Sequence, residues 1–302
     1  MTNLAMATVP SRTAIAVHPF ADGFGADIEG FDFDALADDQ LAELKAAWLK
    51  HGVVRFRGCR VSDEQQIAFT AALGGGFGFH PAQAQGADGA HDRHKEILVI
   101  GNAVVDGKTV GTMANNEAIW HSDTYIYEVT PAAAILRAVQ LPPEGGDTQF
   151  ADMYRVYDRL PTAIRSAIEG RFMQADVVFD AAGEVRPGME HPETDDIRLW
   201  PGMRHPIVRT HGESLRNCVY IGADVASLWI VGLPLDESRA ILDELFAMVR
   251  DPAVQWTQVW EDDDILMWDN RCTMHRRDGW PAHYTRVMHR TTTMGERPFY
   301  RC

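Results

Sequence analysis

His121 and Asp123 stand one residue apart in Asn116-Glu117-Ala118-Ile119-Trp120-His121-Ser122-Asp123, and His275 ends the distant run Trp268-Asp269-Asn270-Arg271-Cys272-Thr273-Met274-His275. Strand side chains alternate with a period of two, so His-x-Asp on a strand turns both groups to one face. A second imidazole brought alongside completes a triangle of two nitrogens and one oxygen, which caps one face of an octahedral ion and leaves the other face open. That donor set suits Fe(II), whereas tetrahedral zinc sites more often draw on thiolates or a third histidine. A His-x-Asp pair alone is a weak signal.

Arginines strengthen it. Arg286 follows His275 by 286 − 275 = 11 residues, and Arg290 follows in Tyr284-Thr285-Arg286-Val287-Met288-His289-Arg290. Arg286, Met288 and Arg290 share strand parity, which predicts two guanidinium groups on one face. Guanidinium is costly to bury unless paired, and its planar fork fits a carboxylate. The chain as a whole is acidic, with a formal net charge of −15. Inward arginines would therefore form a local positive pocket for anions, while nucleic acid is disfavoured as a partner because phosphate contacts need a basic footprint.

The elements that must position these groups read as mainly β with α decoration. Short strands are predicted at Ile15 to Val17, Ala26 to Ile28, Ile97 to Ile100, Ala132 to Val139, Val254 to Trp260, Ile265 to Trp268 and Arg286 to Met294. Helices are predicted over Asp38 to His51 with an Asp cap, from the capping box Ser62-Asp63-Glu64-Gln65 to about Leu73, over Asp152 to Glu169 with a break at Pro161, and over Asp236 to Arg250. Antiparallel strands with a few covering helices predict a double-stranded β-helix, or jelly roll, as a single domain over 1–302. Within 77–119 lies a Gly-, Ala-, Asp- and His-rich stretch, with one strand and a long loop of the kind that serves as a lid. His91 and His94 in it are read as solvated, because Asp92, Arg93 and Lys95 surround them.

No run of eighteen apolar residues is present, so no membrane span is expected. Met1 to Arg12 lacks a secretory pattern. Cys59, Cys218, Cys272 and Cys302 are scattered without Cys-x-x-Cys spacing, which fits a reducing cytoplasm. The sequence leaves a homo-oligomer open.

The chain resembles the Fe(II)/2-oxoglutarate dioxygenases of the taurine and 2,4-dichlorophenoxyacetate type. The resemblance rests on Gly25-Ala26-Asp27-Ile28-Glu29-Gly30-Phe31-Asp32, Gly52-Val53-Val54-Arg55-Phe56-Arg57-Gly58, Trp120-His121-Ser122-Asp123, Gly145-Gly146-Asp147-Thr148, Trp268-Asp269-Asn270-Arg271, and Met288-His289-Arg290 to Pro298-Phe299-Tyr300-Arg301, in that order. It implies Fe(II) on His121, Asp123 and His275, and 2-oxoglutarate with its distal carboxylate on Arg286 and Thr148. Without the resemblance, Thr148 reads as an ordinary strand residue after a Gly-Gly-Asp turn. Arg290, His80 and Glu117 match or stand near substrate-pocket positions, so a small anionic organic substrate and O2 are the expected partners. Gln83 stands where taurine-cleaving members carry an aromatic, and Ile221-Gly222-Ala223-Asp224-Val225-Ala226 looks closer to the herbicide-degrading branch. Halogenases of this chemistry lack the carboxylate ligand, so Asp123 favours hydroxylation. The alternatives are a non-catalytic jelly-roll binding module and a metal-dependent hydrolase using the same triad. A binder has no need of the open metal face that the full residue set implies.

Overall fold

From residue 98 onward the chain passes back and forth between two sheets. Leu98–Gly101 lies in a large sheet, Ala118–His121 in a small one, Ala133–Gln140 in the large and Thr148–Asp152 in the small. After an excursion over 153–254 the winding resumes, with Gln255–Gln258 small, Ile265–Asp269 large, Thr273–Arg277 small and Val287–Thr292 large. These neighbours pair antiparallel throughout, which makes the double-stranded β-helix. The computed structural model describes residues 14–78, 91, 93–105, 107–112, 115–179, 185 and 188–302. Val53–Phe56, Ala26–Glu29 and Ala16–Pro19 extend the large sheet to seven strands, and Ala26–Glu29 runs parallel to Val53–Phe56.

Strand alternation sorts the core into layers. Ala134, Leu136 and Ala138 join Leu266, Trp268 and Met288 in facing Phe150 of the small sheet. Their neighbours Ala133 and Ile135 join Ile265 and Met267 on the opposite face, packed against Leu44, Trp48 and Phe69. Those last three come from the helices Asp38–His51 and Asp63–Ala72. Each large apolar side chain buried this way contributes roughly 1.5–3 kcal/mol, so a one-residue slip of a central strand, which exchanges its faces, is strongly disfavoured.

Local signals explain the helix ends. Ser62 accepts from the Gln65 amide at 3.2 Å while Gln65 Oε1 accepts from the Ser62 amide at 2.7 Å, the reciprocal capping box. Asp38 does not cap its helix: Ala37 holds the cap position without a side-chain bond, and Asp38 lies in the first turn. Pro161 divides Met153–Asp158 from Thr162–Ile168 because it cannot donate within a helix. The helix Leu235–Val249 buries Ile241, Leu242, Leu245, Phe246 and Val249 in one cluster with Ala151 and Met274 of the small sheet.

The stretch 77–119 departs from the expectation of one strand. Its described part contains Leu98–Gly101, the hairpin strands Ala103–Val105 and Lys108–Val110, and Ala118–His121. Residues 79–90, 92, 106 and 113–114, and with them His80, Gln83 and most of the expected lid, lie outside the described residues. No helix among the described residues is long and apolar enough to cross a membrane.

Candidate metal centre

The two histidines of the triad are brought together by the small sheet itself. His121 and His275 are direct cross-strand partners, with ring centroids 4.2 Å apart. The Ala118–His121 strand ends at His121, so Asp123 is supplied by the turn beyond it rather than by the strand. The Ser122 amide donates to Gly222 O at 2.8 Å, and Thr124 takes a left-handed φ of 49°. That turn still brings Asp123 Oδ1 to 3.9 Å from His121 Nε2. One donor atom from each of His121, Asp123 and His275 falls within 4.8 Å of the others.

The surroundings prepare these donors for a cation. The Ile119 carbonyl lies 2.7 Å from His121 Nδ1, which leaves Nε2 for a metal. His275 stacks on Phe150 at 5.7 Å and meets Trp268 at 4.9 Å. Burial pushes the His275 imidazole down to about 3, and burial also lowers His121 against the pull of Asp123. Both rings are thus neutral at physiological pH, the form in which histidine ligates. Arg290 Nη1 donates to Asp123 Oδ1 at 2.7 Å, while Arg290 Nε has no hydrogen-bond partner among the described residues. The donor set and its convergence fit a divalent iron.

A second group of side chains is built around Arg286, which is 1% exposed. Asn102 holds its backbone on both sides, through Oδ1 at 2.9 Å and the amide at 3.2 Å. Its side chain donates to Gly146 O at 3.2 Å and lies near the rings of Trp280 and Trp260, at 5.3 and 6.0 Å. Trp260 Nε1 in turn donates to Thr148 Oγ1 at 3.1 Å. Gly146 is required where it stands: its φ is +76°, and a Cβ would approach Arg286 Nε to 3.0 Å. No carboxylate among the described residues forms an ion pair with Arg286, and its Nε has no partner among them. Burial, together with the charge of Arg277, pushes the Arg286 guanidinium down to about 9. It remains protonated at neutral pH, and the charge of Asp147 offsets the depression only in part. A ligand carboxylate meeting Arg286 and Thr148 would supply the remaining counter-charge.

Two groups were not legible as site residues. Arg277, two positions beyond His275 and the cross-strand partner of Thr148, stacks on Trp280 at 4.7 Å, donates to the Asn116 carbonyl and is pushed down to about 10 by burial. Its parity with His275 is the signal that could have found it. Trp260 and Trp280, whose rings lie against Arg286, carry no comparable mark. The Glu117 side chain is 57% exposed and pairs with Arg276 at 2.9 Å.

Residues 16–292 match the model of the taurine catabolism dioxygenase TauD, TfdA family. The chain belongs to the TauD/TfdA family. As a member of it, the protein is a 2-oxoglutarate-dependent non-haem iron dioxygenase that uses Fe(II). The family's 2,4-dichlorophenoxyacetate dioxygenase from Cupriavidus pinatubonensis is 30% identical, with 94% of this chain and 99% of the relative covered. A sulfate ester dioxygenase from Pseudomonas putida is also 30% identical, covering 99% of this chain and 95% of the relative. Among solved structures, a taurine dioxygenase from Burkholderia xenovorans superposes with a TM-score of 0.74 at 28% identity, covering 95% of this chain and 91% of that one.

Proposed function

We propose that this dioxygenase hydroxylates a small organic anion, a carboxylate, sulfonate or sulfate ester of the aryloxyalkanoate-like kind, at a carbon a few bonds from the charge. The observation that carries the proposal is a surplus of buried guanidinium at the site. Arg286 and Arg290 are 1% and 6% exposed in a chain of net charge −15. The distal carboxylate of 2-oxoglutarate satisfies one of them, Arg286, with Thr148 as a second donor to it. Arg290 spends Nη1 on Asp123 and keeps Nε for another anion.

His121, Asp123 and His275 would hold the iron. When bound, Fe(II) and 2-oxoglutarate supply the oxidation by O2 that yields succinate, CO2 and one oxygen atom for a substrate C–H bond. The protein's share is to fix the distances. Phe150 and Trp268 lock the His275 ring, Gly146 and the two indoles aim Arg286, and the dry walls strengthen each charge–charge contact. An aryl ether or sulfate ester hydroxylated next to its oxygen collapses and releases phenol or sulfate. Relatives are named for 2,4-dichlorophenoxyacetate, (S)-phenoxypropionate and sulfate esters, all anions. His80 would complete the substrate pocket. The four free cysteines agree with a cytoplasmic enzyme, working as one catalytic domain because the ligands come from both halves of the winding.

The test is a panel of carboxylates, sulfonates, sulfate esters and aryloxyalkanoates scored by substrate-dependent succinate formation, in wild type and Arg290→Ala. Loss of substrate affinity with persisting uncoupled 2-oxoglutarate consumption is expected. An uncharged analogue turned over as well as the best anion, equally in both proteins, would refute the reading.

A further inference from the structure

The outer face of the large sheet carries a second set of two imidazoles and a carboxylate. His289 lies on Val287–Thr292 between Met288 and Arg290, whose side chains enter the space between the sheets, so strand alternation sends His289 outward. There it meets the first residue of the Asp63–Ala72 helix, with Nδ1 2.7 Å from Asp63 Oδ1. His91 approaches the same carboxylate from elsewhere in the chain, with Nε2 3.1 Å from Asp63 Oδ2. The His91 and His289 rings meet edge to face at 5.0 Å. One donor atom from each of the three residues lies within 4.8 Å of the others, as in the catalytic triad. Their side chains are only 11–13% exposed.

We propose that Asp63, His91 and His289 form a second metal site, for a divalent transition ion of the zinc or nickel class, on the opposite face of the sheet from the catalytic iron. Two imidazole nitrogens and one carboxylate oxygen select that class. Calcium takes six to eight oxygens, and magnesium prefers an octahedral oxygen shell. The solvated state expected for His91 does not hold, because it is tied to Asp63, while His94 pairs with the exposed Glu64 at 3.2 Å.

Arg137 also touches this carboxylate, donating to Asp63 Oδ1 and lying 3.3 Å from His289 Nδ1. The catalytic set shares the arginine–carboxylate contact, since Arg290 donates to Asp123 Oδ1 at 2.7 Å. In both sets an arginine balances the acid. Arg137 holds Oδ1 and has a further acceptor in Gln66 Oε1 at 3.1 Å, while Oδ2 faces His91 and is the oxygen available to an ion. Such an ion would pin His91 and the Asp63–Ala72 helix to the strand whose other face presents Arg290.

The full-length chain, stripped with chelator, is dialysed against micromolar zinc and its bound metal counted. Wild type is expected to hold two ions per chain. His275→Ala and His91→Ala should each hold one, and the double variant none. His91 is in a loop, so its truncation leaves the core intact. In the His275→Ala background, zinc should raise the melting temperature, and adding His91→Ala should remove that rise and weaken zinc binding at least about tenfold, the scale on which even outer-shell partners act. Two ions retained by His91→Ala, as with zinc scattered over surface histidines, or no ion held by His275→Ala, would overturn the assignment.

Discussion

Around Arg271 the chain supplies its own counter-charge. Asp269 receives two of its nitrogens, each at 2.8 Å, Glu213 a third at 2.8 Å, and His211 closes on the far Asp269 oxygen at 3.0 Å. Although burial works against both charges, Asp269 is held well below the usual carboxylate range and Arg271 above the usual guanidinium range by their mutual attraction. Around Arg286 the chain offers a carbonyl, two indole faces and the charge of Asp147, not bonded to it, and burial outweighs that charge and moves the guanidinium the other way. A buried arginine neutralised from within serves architecture. One left in surplus marks where a ligand's charge belongs.

The largest effect expected is on turnover. Replacing His121, Asp123 or His275 by alanine should reduce Fe(II)-dependent succinate formation by at least about a thousandfold, with the melting transition retained. Near-wild-type activity in any one of them would remove it from the triad.

The two arginines should then separate stability from binding. Arg271→Ala should destabilise the fold by about 3–5 kcal/mol, because it strands a buried carboxylate. Chemical denaturation reads this, and 2-oxoglutarate affinity should be unchanged in the folded fraction. Arg286→Ala should leave stability near wild type while weakening 2-oxoglutarate by about 2–5 kcal/mol, roughly thirtyfold to a few thousandfold. Anaerobic titration of the iron-to-cofactor charge-transfer band measures it. If Arg286→Ala unfolds the chain as Arg271→Ala does, the contrast between the two regions is wrong.

Acid should expose the same contrast more gently. A carboxyl whose folded value lies below its unfolded one lends stability above about pH 3.9, and this is lost as pH falls further toward the folded value. Asp269 belongs to that class, so stability measured down through that range should fall in wild type and flatten in Asp269→Asn. A profile unchanged by the substitution would remove Asp269 as its source. The smallest effect is expected at Glu117. Its pair with Arg276 is exposed, so Glu117→Ala should shift stability by less than about 1 kcal/mol and leave the substrate KM in place. A large KM change would place Glu117 in contact with the substrate.

What the sequence disclosed follows physical range. Local codes were legible: the Ser62 box, the break at Pro161, the helix to Val249 and the alternation of Ala133–Gln140 each depend on neighbours a few residues away. The convergence of His121, Asp123 and His275 was legible because a metal's donor set restricts residue type and spacing, whereas Arg286 was singled out by its parity with Arg290 and by the family resemblance. Partnerships across the fold were not legible. Arg290 with Asp123, Glu117 with Arg276, and His91 with Asp63 and His289 are fixed by how sheets and helices stack, and nothing in their local sequence encodes the partner. The irregular register between Val287 and Met288 was likewise hidden, so the simple parity that set Arg286 and Arg290 on one face was only approximate.

The pairing of His121 with His275 has a kinetic consequence. The two residues are 275 − 121 = 154 positions apart in sequence and meet as direct cross-strand partners. Closing so long a loop costs entropy before any ladder contact repays it, which slows folding in topologies of this kind. Metal affinity at the triad therefore cannot develop in partly wound intermediates. A stopped-flow experiment that follows metal uptake during refolding should see it lag behind the burst of secondary structure and coincide with the final closure of the small sheet.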